Sequence, residues 1–325
     1  MILFVGIPSE APLALAIESA EREAVPHLVL SQRRWMFCEL AFGVGAGRPQ
    51  GALWLNEKLW PLEAFTGIYA RMMEPSTLPE SQRRAGVLPD PRQLTRLAFL
   101  YEILNDWLEI APGRVVNRPL AMASNASKPY QAQLITRSGF ATPPTLITND
   151  PEQVRAFQAQ HGRVVYKSIS SVRSIVMELC SGRDDLERVR RLPTQFQAFI
   201  PGQNVRVHVV GEEVFPTLVE SEAVDYRYGG REGFETDLRA EALPPEVAER
   251  CVALTAALGL SFAGIDLKRT PDGEWYCFEV NTSPGYSYFQ QATGQAISDA
   301  LVRHLVEGAD LDHGSSHGAG RRKSG

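Results

Sequence analysis

The chain has 325 residues, a formal net charge of −5 and 22% charged residues. That length is enough for two or three domains with cores of their own. The charge balance gives no general attraction to nucleic acid or to an anionic membrane, so neither is expected as a partner.

The chain opens Met1-Ile2-Leu3-Phe4-Val5-Gly6-Ile7-Pro8, a short apolar run without a basic leader, which reads as a first strand and not as a signal peptide. Ser9 or Glu10 can cap a helix with an apolar face of Leu13, Ala16, Ile17, Ala20 and Ala24, and His27–Leu30 reads as the next strand. This β-α-β start predicts a parallel sheet. Residues 43–51 are Gly-rich and read as a loop; Ala52–Leu55 and Lys58–Trp60 flank Asn56-Glu57 as a hairpin. A long loop is expected over 75–92. Leu94, Leu97, Leu100, Tyr101, Leu104, Trp107 and Leu108 then recur at helical spacing, with Trp107 and Tyr101 expected in a core.

A second domain is expected to begin near Val115-Val116-Asn117-Arg118-Pro119, with a helix over about 126–138 that Gly139 ends. The strand Thr145–Thr148 follows, and Asn149 or Asp150 caps another helix. Val164–Lys167 and Ile175–Leu179 read as antiparallel strands joined by a Ser-rich loop. Gln195–Ile200, Val205–Val210 and Val214–Glu220 give three more strands, Pro244–Leu258 a helix, and Gln295–Val306 a last helix. Beyond it the composition turns to Gly, Ser, His and basic residues and reads as a disordered tail. Four cysteines, at 38, 180, 251 and 277, are scattered without paired spacing. They read as reduced, buried thiols of a cytoplasmic protein. No stretch approaches the roughly 20 apolar residues of a membrane span.

The most informative segment is a ribbon near the C-terminal end. Gly264-Ile265-Asp266-Leu267-Lys268 and Cys277-Phe278-Glu279-Val280-Asn281 flank a Pro-Asp-Gly turn at residues 271–273. A symmetric hairpin sets Thr270 opposite Trp275 and Asp266 opposite Glu279. Alternation then gathers Glu279 and Asn281 on the face of Asp266 and turns Ile265, Leu267, Phe278 and Val280 into a core. Like charges opposed on a sheet repel, and oxygen donors suit magnesium. An exposed hairpin face with ordinary acidic residues is the competing reading.

Several cations sit where a nucleotide site would want them. Lys167 ends a buried strand just before a flexible loop. Lys128 lies in the first turns of a helix after Asn125, a candidate cap, where the helix N-terminus adds its own pull on anions. Arg206 interrupts an apolar strand and shares a face with Asn204 and His208. Singly, each has a structural reading at least as good as the functional one.

In this order, the residues resemble the ATP-grasp superfamily of carboxylate–amine ligases. The likeness is greatest to RimK-like glutamate ligases and to microviridin-type ligases that modify ribosomal peptides. It runs from about Val116 to Val306. Gly264-Ile265-Asp266 and Phe278-Glu279-Val280-Asn281 look like the family's magnesium strands, extended by Thr282-Ser283-Pro284-Gly285. Asn117-Arg118-Pro119 with Ser127-Lys128 is similar to the entry segment with its first phosphate lysine, and Val165-Tyr166-Lys167 to the second lysine strand. Gln197-Ala198-Phe199-Ile200 takes the place of the hinge that hydrogen-bonds adenine, and Asn204-Val205-Arg206-Val207 resembles the Asp-Ile-Arg-Val strand.

The resemblance implies an α+β chain: an ATP-grasp fold of two α/β subdomains gripping ATP over 116–308 and a small α/β domain over 1–115, with the disordered tail that composition indicates over 309–325. It implies ATP and magnesium as cofactors, with Asp266, Glu279 and Asn281 as metal ligands. Lys128, Lys167, Gln197, Phe199 and Ile200 would hold the nucleotide. The loop 168–174 has no glycine where many members use a Gly-rich loop; Ser171 and Arg173 would substitute there. Ala198 and Asn204 stand where acidic residues are frequent, which bears on ribose or substrate contacts more than on the metal. The implied reaction activates a carboxylate as an acylphosphate and joins it to an amine, on a peptide, protein or amino acid. Arg206 would hold the transferring phosphoryl group or the tetrahedral intermediate. Arg227, in the polar and aromatic segment 220–230, would bind a substrate carboxylate, with a solvated loop as the equal alternative. Arg71 resembles an N-terminal motif of peptide-modifying relatives and would contact substrate or brace the domains. A phosphotransferase on the same fold needs the same residues and remains the alternative enzyme; a nucleotide-binding protein without turnover is the alternative outside catalysis. The substrate, the amine donor and the oligomeric state, a homo-oligomer included, stay open.

Overall fold

The computed structural model describes all residues except 46–47, 79–80, 82–89, 169–175, 181–185, 222–235 and 315–325. In chain order the elements are β1 (Ile2–Gly6), α1 (Ala11–Arg22), β2 (His27–Ser31), β3 (Glu39–Gly45), β4 (Arg48–Leu55), β5 (Lys58–Pro61), β6 (Gly67–Arg71), α2 (Pro91–Ile110), β7 (Arg114–Val116) and the short α3 (Pro119–Met122). There follow α4 (Lys128–Arg137), β8 (Thr145–Thr148), α5 (Pro151–His161), β9 (Val164–Ser168), β10 (Met177–Glu178), β11 (Thr194–Ala198), β12 (Gln203–Val210), β13 (Glu213–Ser221) and β14 (Thr236–Ala240). The chain continues through α6 (Pro245–Ala257), β15 (Phe262–Arg269), β16 (Trp275–Asn281), α7 (Ser287–Thr293) and α8 (Ile297–Gly314). No helix among the described residues is long and apolar enough to cross a membrane.

These elements form two compact units. The first comprises Met1–Ala121, Leu260–Phe262 and Ala296–Gly325; the second comprises Met122–Gly259 and Ala263–Gln295.

The first unit is built on a four-stranded sheet in the order β2-β1-β6-β7, parallel throughout. β1 is buried along its whole length, as a central parallel strand covered on both faces must be. Its core joins Leu3, Val5, Leu30 and Ile68 to Leu97, Leu100, Leu104, Trp107 and Leu108 of α2. Trp107 is fully buried, and Tyr101 packs against the cluster as the helical spacing predicted. Val115 and Val116 form the fourth strand of this sheet, so the unit runs past the 115/116 division. Arg118 caps the end of α2, donating to the carbonyls of Leu108, Glu109, Ala111 and Gly113. Asn117 accepts from the Ser261 and Phe262 amides and donates to the Phe262 carbonyl, which fixes the returning segment. α8 continues to Gly314, beyond the Val306 end that composition indicated.

A second sheet of this unit, β3-β4-β5, corrects the sequence reading of 43–51 as a loop. Gly43 and Gly51 lie inside paired strands. A Cβ on Gly51 would stand 2.2 Å from the Ala41 carbonyl oxygen, so glycine here marks close backbone approach and not a turn. The expected turn at Asn56-Glu57 is present, both residues having positive φ, as a type I′ hairpin requires.

The second unit holds two sheets. One runs β10-β9-β11-β8, with β9 antiparallel to both neighbours; the other runs β14-β13-β12-β15-β16. α5 begins as predicted, the Asp150 side chain accepting from the Glu152 amide at 3.0 Å. α5 covers the first sheet through Val154, Val164, Leu179 and Phe196. β14 and α7 were not foreseen; they join through a small core of Val219, Leu238 and Phe289. Cys38, Cys251 and Cys277 are buried as expected, but Cys180 is exposed; no disulfide joins any of the four. Burial pushes the Cys38 thiol up to about 11 and Cys251 up to about 12, so both stay protonated.

Candidate active site

The β15–β16 ribbon carries the two carboxylates, and its register has two parts. Near the turn, Arg269 pairs with Trp275, Lys268 with Tyr276 and Leu267 with Cys277. The Thr270 amide donates to the Glu274 carbonyl and the Gly273 amide to the Thr270 carbonyl, so the turn is one residue tighter than a Thr270–Trp275 pairing. A β-bulge between Asp266 and Leu267 absorbs the difference. Beyond it, Asp266 stands opposite Glu279, Ile265 opposite Val280 and Gly264 opposite Asn281. The expected Asp266–Glu279 pairing is therefore present, although the turn pairing that suggested it is not. The bulge also re-aims a side chain. Ile265 and Val280 are fully buried, but Phe278 is half-buried and lines the cavity, against the expectation that it enters the core.

That cavity gathers most of the expected site. Asp266 and Glu279 line it with Lys167, Gln197, Phe199, Ile200, Asn204 and Arg206. Lys167 reaches it from β9, where its register partner on β11 is Gln195, and it is 8% exposed. Arg206 projects from β12, 5% exposed, and its Nη1 donates to Asp266 Oδ1 at 2.7 Å. Val165, Val176, Ala198, Val205, Leu267 and Lys268 complete the wall. Asp266, Glu279 and Arg206 gather at its charged end, and Phe199, Ile200 and Phe278 gather around Lys268 at its largely apolar end.

The Arg206 guanidinium has a made place. A Cβ on Gly264 would stand 2.0 Å from Arg206 Nη2 and 2.8 Å from Pro284 Cβ. Glycine before Ile265-Asp266 is required by the side chain lying over it. His208 lies beneath, fully buried, with Arg206 Nε donating to its Nε2 at 3.5 Å and the Phe289 ring at 5.0 Å. Burial, and then the Arg206 charge, hold the His208 imidazole well below its ordinary pKa, so it is neutral.

Two expected residues stand apart from the cavity wall. Lys128 is the first residue of α4, with Ser127 and not Asn125 as the cap; it is half-buried and absent from the lining. Asn281 lies two residues beyond Glu279 on β16 and is likewise not a lining residue. Both sit near the site through one side chain that sequence reasoning missed. Gln131, buried on α4, donates to the Val280 carbonyl at 2.8 Å and accepts from the Val280 amide at 2.9 Å. It stands in for a strand partner on the outer edge of β16, which Ala141 meets further along by accepting from the Cys277 amide at 2.8 Å. Ser171, Arg173 and Arg227 lie outside the described residues. Arg71 braces the first unit: its Nε and Nη2 donate to the two oxygens of Glu10 at 3.0 and 2.7 Å, and its Nη1 donates to the Tyr69 hydroxyl at 3.4 Å.

Also missed was Lys268. Its Nζ donates to the Ile200 carbonyl at 3.1 Å, inside the segment expected to face a base. Burial, and then the nearby Arg163 charge, lower its pKa. Arg163 lies over the Phe199 ring, 3.8 Å from its centroid, and pairs bidentately with Glu178. The Gln197 side chain turns to Thr145 Oγ1 at 3.0 Å. The Phe199 amide is already donated to the Arg163 carbonyl and the Ala198 amide to the Pro144 carbonyl, both within 3.0 Å.

A metal fits this donor set. Among the described residues no group of three or more His, Cys, Asp and Glu side chains is placed to hold an ion. Two opposed carboxylates with an amide nearby are instead what magnesium takes when phosphate oxygens and water complete its shell. Arg206 offsets one negative charge of a pair that carries two.

A sequence-family model described as the RimK-like ATP-grasp domain matches residues 125–305. A probable alpha-L-glutamate ligase of Aliivibrio salmonicida is 27% identical over 217 residues, which are 63% of this chain and 71% of that protein. One from Azotobacter vinelandii is 26% identical over 220 residues, with the same shares. Among solved structures, the ATP-grasp ligase PsnB complexed with minimal precursor, Mg and ADP aligns with TM-score 0.74 at 25% identity, over 94% of this chain and 96% of that one. The macrocyclase MdnC bound with precursor peptide MdnA, from Microcystis aeruginosa, aligns with TM-score 0.76 at 20% identity over 94% and 100%, a likeness of fold.

Proposed function

The chain belongs to the RimK-like ATP-grasp family, and on that premise we propose that it extends or cross-links a peptide through a side-chain or terminal carboxylate. The chain is an ATP- and magnesium-dependent ligase that joins a carboxylate to an amine. A peptide substrate is supported by the likeness over nearly the whole chain to PsnB, solved with precursor peptide PsnA2, and to MdnC, solved with precursor peptide MdnA. The observation that carries the site is the direct opposition of Asp266 and Glu279 in a cavity shared with Lys167 and Arg206.

Each residue has a physical task in this reading. MgATP, when bound, supplies the phosphoryl group that turns an unreactive carboxylate into an acylphosphate. Asp266, Glu279 and Asn281 would hold the magnesium. Lys167 brings a buried point charge to the phosphates, and Lys128 adds a second from the first turn of α4. Arg206 is pre-positioned by Gly264, His208 and Asp266, so its charge costs little reorganisation when negative charge builds during transfer. The apolar walls at Val165, Leu267 and Phe199 exclude water and suit a flat base. The protein neutralises charge and positions; no side chain acts as nucleophile.

The test is an ADP-release screen of the purified chain with amino acids and acidic peptides, with hydroxylamine present. A hydroxamate formed in step with ADP is the expected product. A phosphorylated substrate without hydroxamate would instead establish the phosphotransferase, and ADP release from no carboxylate would remove the ligase reading.

A further inference from the structure

The apolar end of the cavity contains a cation that the ligation chemistry does not use. Lys268 follows Asp266 by two residues on β15. Its ammonium lies 5.3 Å from the Phe199 ring centroid and 5.7 Å from that of Phe278. An ammonium carries three donors. The Ile200 carbonyl, at 3.1 Å, is its one hydrogen-bond acceptor among the described residues. A carbonyl and an ammonium thus stand side by side, next to two aromatic rings that line the cavity.

This inference rests on the nucleotide reading of the cavity. With phosphates at Lys167 and Arg206, the part of the cavity left for the base is the part lined by Phe199, Ile200, Lys268 and Phe278. Adenine presents an amine donor beside a ring-nitrogen acceptor. A 6-oxopurine presents the reverse, a carbonyl acceptor beside a ring N–H donor. A carbonyl oxygen has two lone pairs, so that of Ile200 can accept from Lys268 and from a base together. The lysine stem is flexible, so its remaining donors can follow either edge. A backbone carbonyl alone would favour adenine, because an oxo group facing it opposes two acceptors. We propose that Lys268 sets the base selectivity of this site, relaxing it so that 6-oxopurine nucleotides bind as well as adenine nucleotides.

Calorimetric titration of the full chain with magnesium and either ADP or IDP tests this without any peptide substrate. The wild-type chain is expected to bind the two diphosphates within about tenfold of each other, a gap of roughly 1.4 kcal/mol. Lys268→Met is expected to weaken IDP about tenfold more than ADP, the worth of one charged hydrogen bond. Lys268→Arg keeps a donor and is expected to keep the wild-type ratio. An ADP-to-IDP ratio unchanged in Lys268→Met overturns the proposal, whether both affinities hold or fall together. So does a wild-type preference for ADP beyond about a thousandfold, which needs no variant to fold. If neither diphosphate binds the wild-type chain, the nucleotide reading itself falls, and this inference with it.

Discussion

The two ends of the cavity are built on different principles. At the charged end, Asp266, Lys167 and Arg206 stand on strands flanked on both sides and Glu279 on the edge strand β16, each placed by register. At the apolar end, Phe278 enters only because of a bulge, Phe199 and Ile200 lie past the end of β11, and Lys268 acts through a backbone carbonyl. The charged end is therefore stiff, and its chemistry follows from residue type. The apolar end is assembled from irregular backbone, and its chemistry follows from which groups happen to meet. Regular register positions the reacting atoms, and irregular segments tune which molecule enters.

The comparison can be broken most forcefully at the charged end. Glu279→Gln keeps the shape of the ribbon and removes one of two opposed charges. It is expected to cut turnover by about a thousandfold, the scale for losing one preorganised electrostatic partner, while the urea midpoint holds or rises. A variant that keeps near-normal ADP release would show that register alone does not define the site. Arg206→Met strands the Asp266 carboxylate, and removing one partner of a largely buried pair costs about 3 kcal/mol. Denaturant unfolding should report that loss. Gln131→Leu leaves the Val280 amide and carbonyl without their partner on α4, at about 2 kcal/mol in the same measurement. A smaller change would mean that the edge of β16 is held by something else.

The gentlest perturbation is pH. His208 is neutral in the fold because its pKa is depressed, whereas the unfolded side chain takes a proton below about pH 6.5. Its contribution is complete above that value and is lost as pH falls, by up to about 1.4 kcal/mol per pH unit. His208→Phe should flatten the fall in unfolding free energy between pH 6.5 and 5. An equal slope in both proteins would place the proton elsewhere.

Much of the charged end was legible in the sequence, because paired strands around a Pro-Asp-Gly turn leave few registers open. Even so, the Asp266–Glu279 pairing came from a turn one residue too long, and the bulge restored what the miscounted turn had supplied by accident. Phe278 was misplaced for that reason: alternation holds only where pairing is regular. The strands around Gly43 and Gly51 were hidden because glycine ordinarily signals a turn, whereas here it admits a neighbouring backbone. Gly264 was visible as part of a motif, but its cause, the overlying Arg206, is a contact between strands nearly 60 residues apart. Lys268 and Gln131 were illegible in the same sense. Each acts on a backbone group brought by a distant element, and residue type alone carries no trace of that.

The central claim is that Asp266 and Glu279 together hold the ion that carries the nucleotide. The most direct measurement is the affinity for ADP with and without magnesium, in the wild-type chain and in Glu279→Gln. The account predicts that magnesium tightens ADP by tenfold or more, about 1.4 kcal/mol, in the wild type and has almost no effect in the variant. Equal magnesium dependence in both would contradict it.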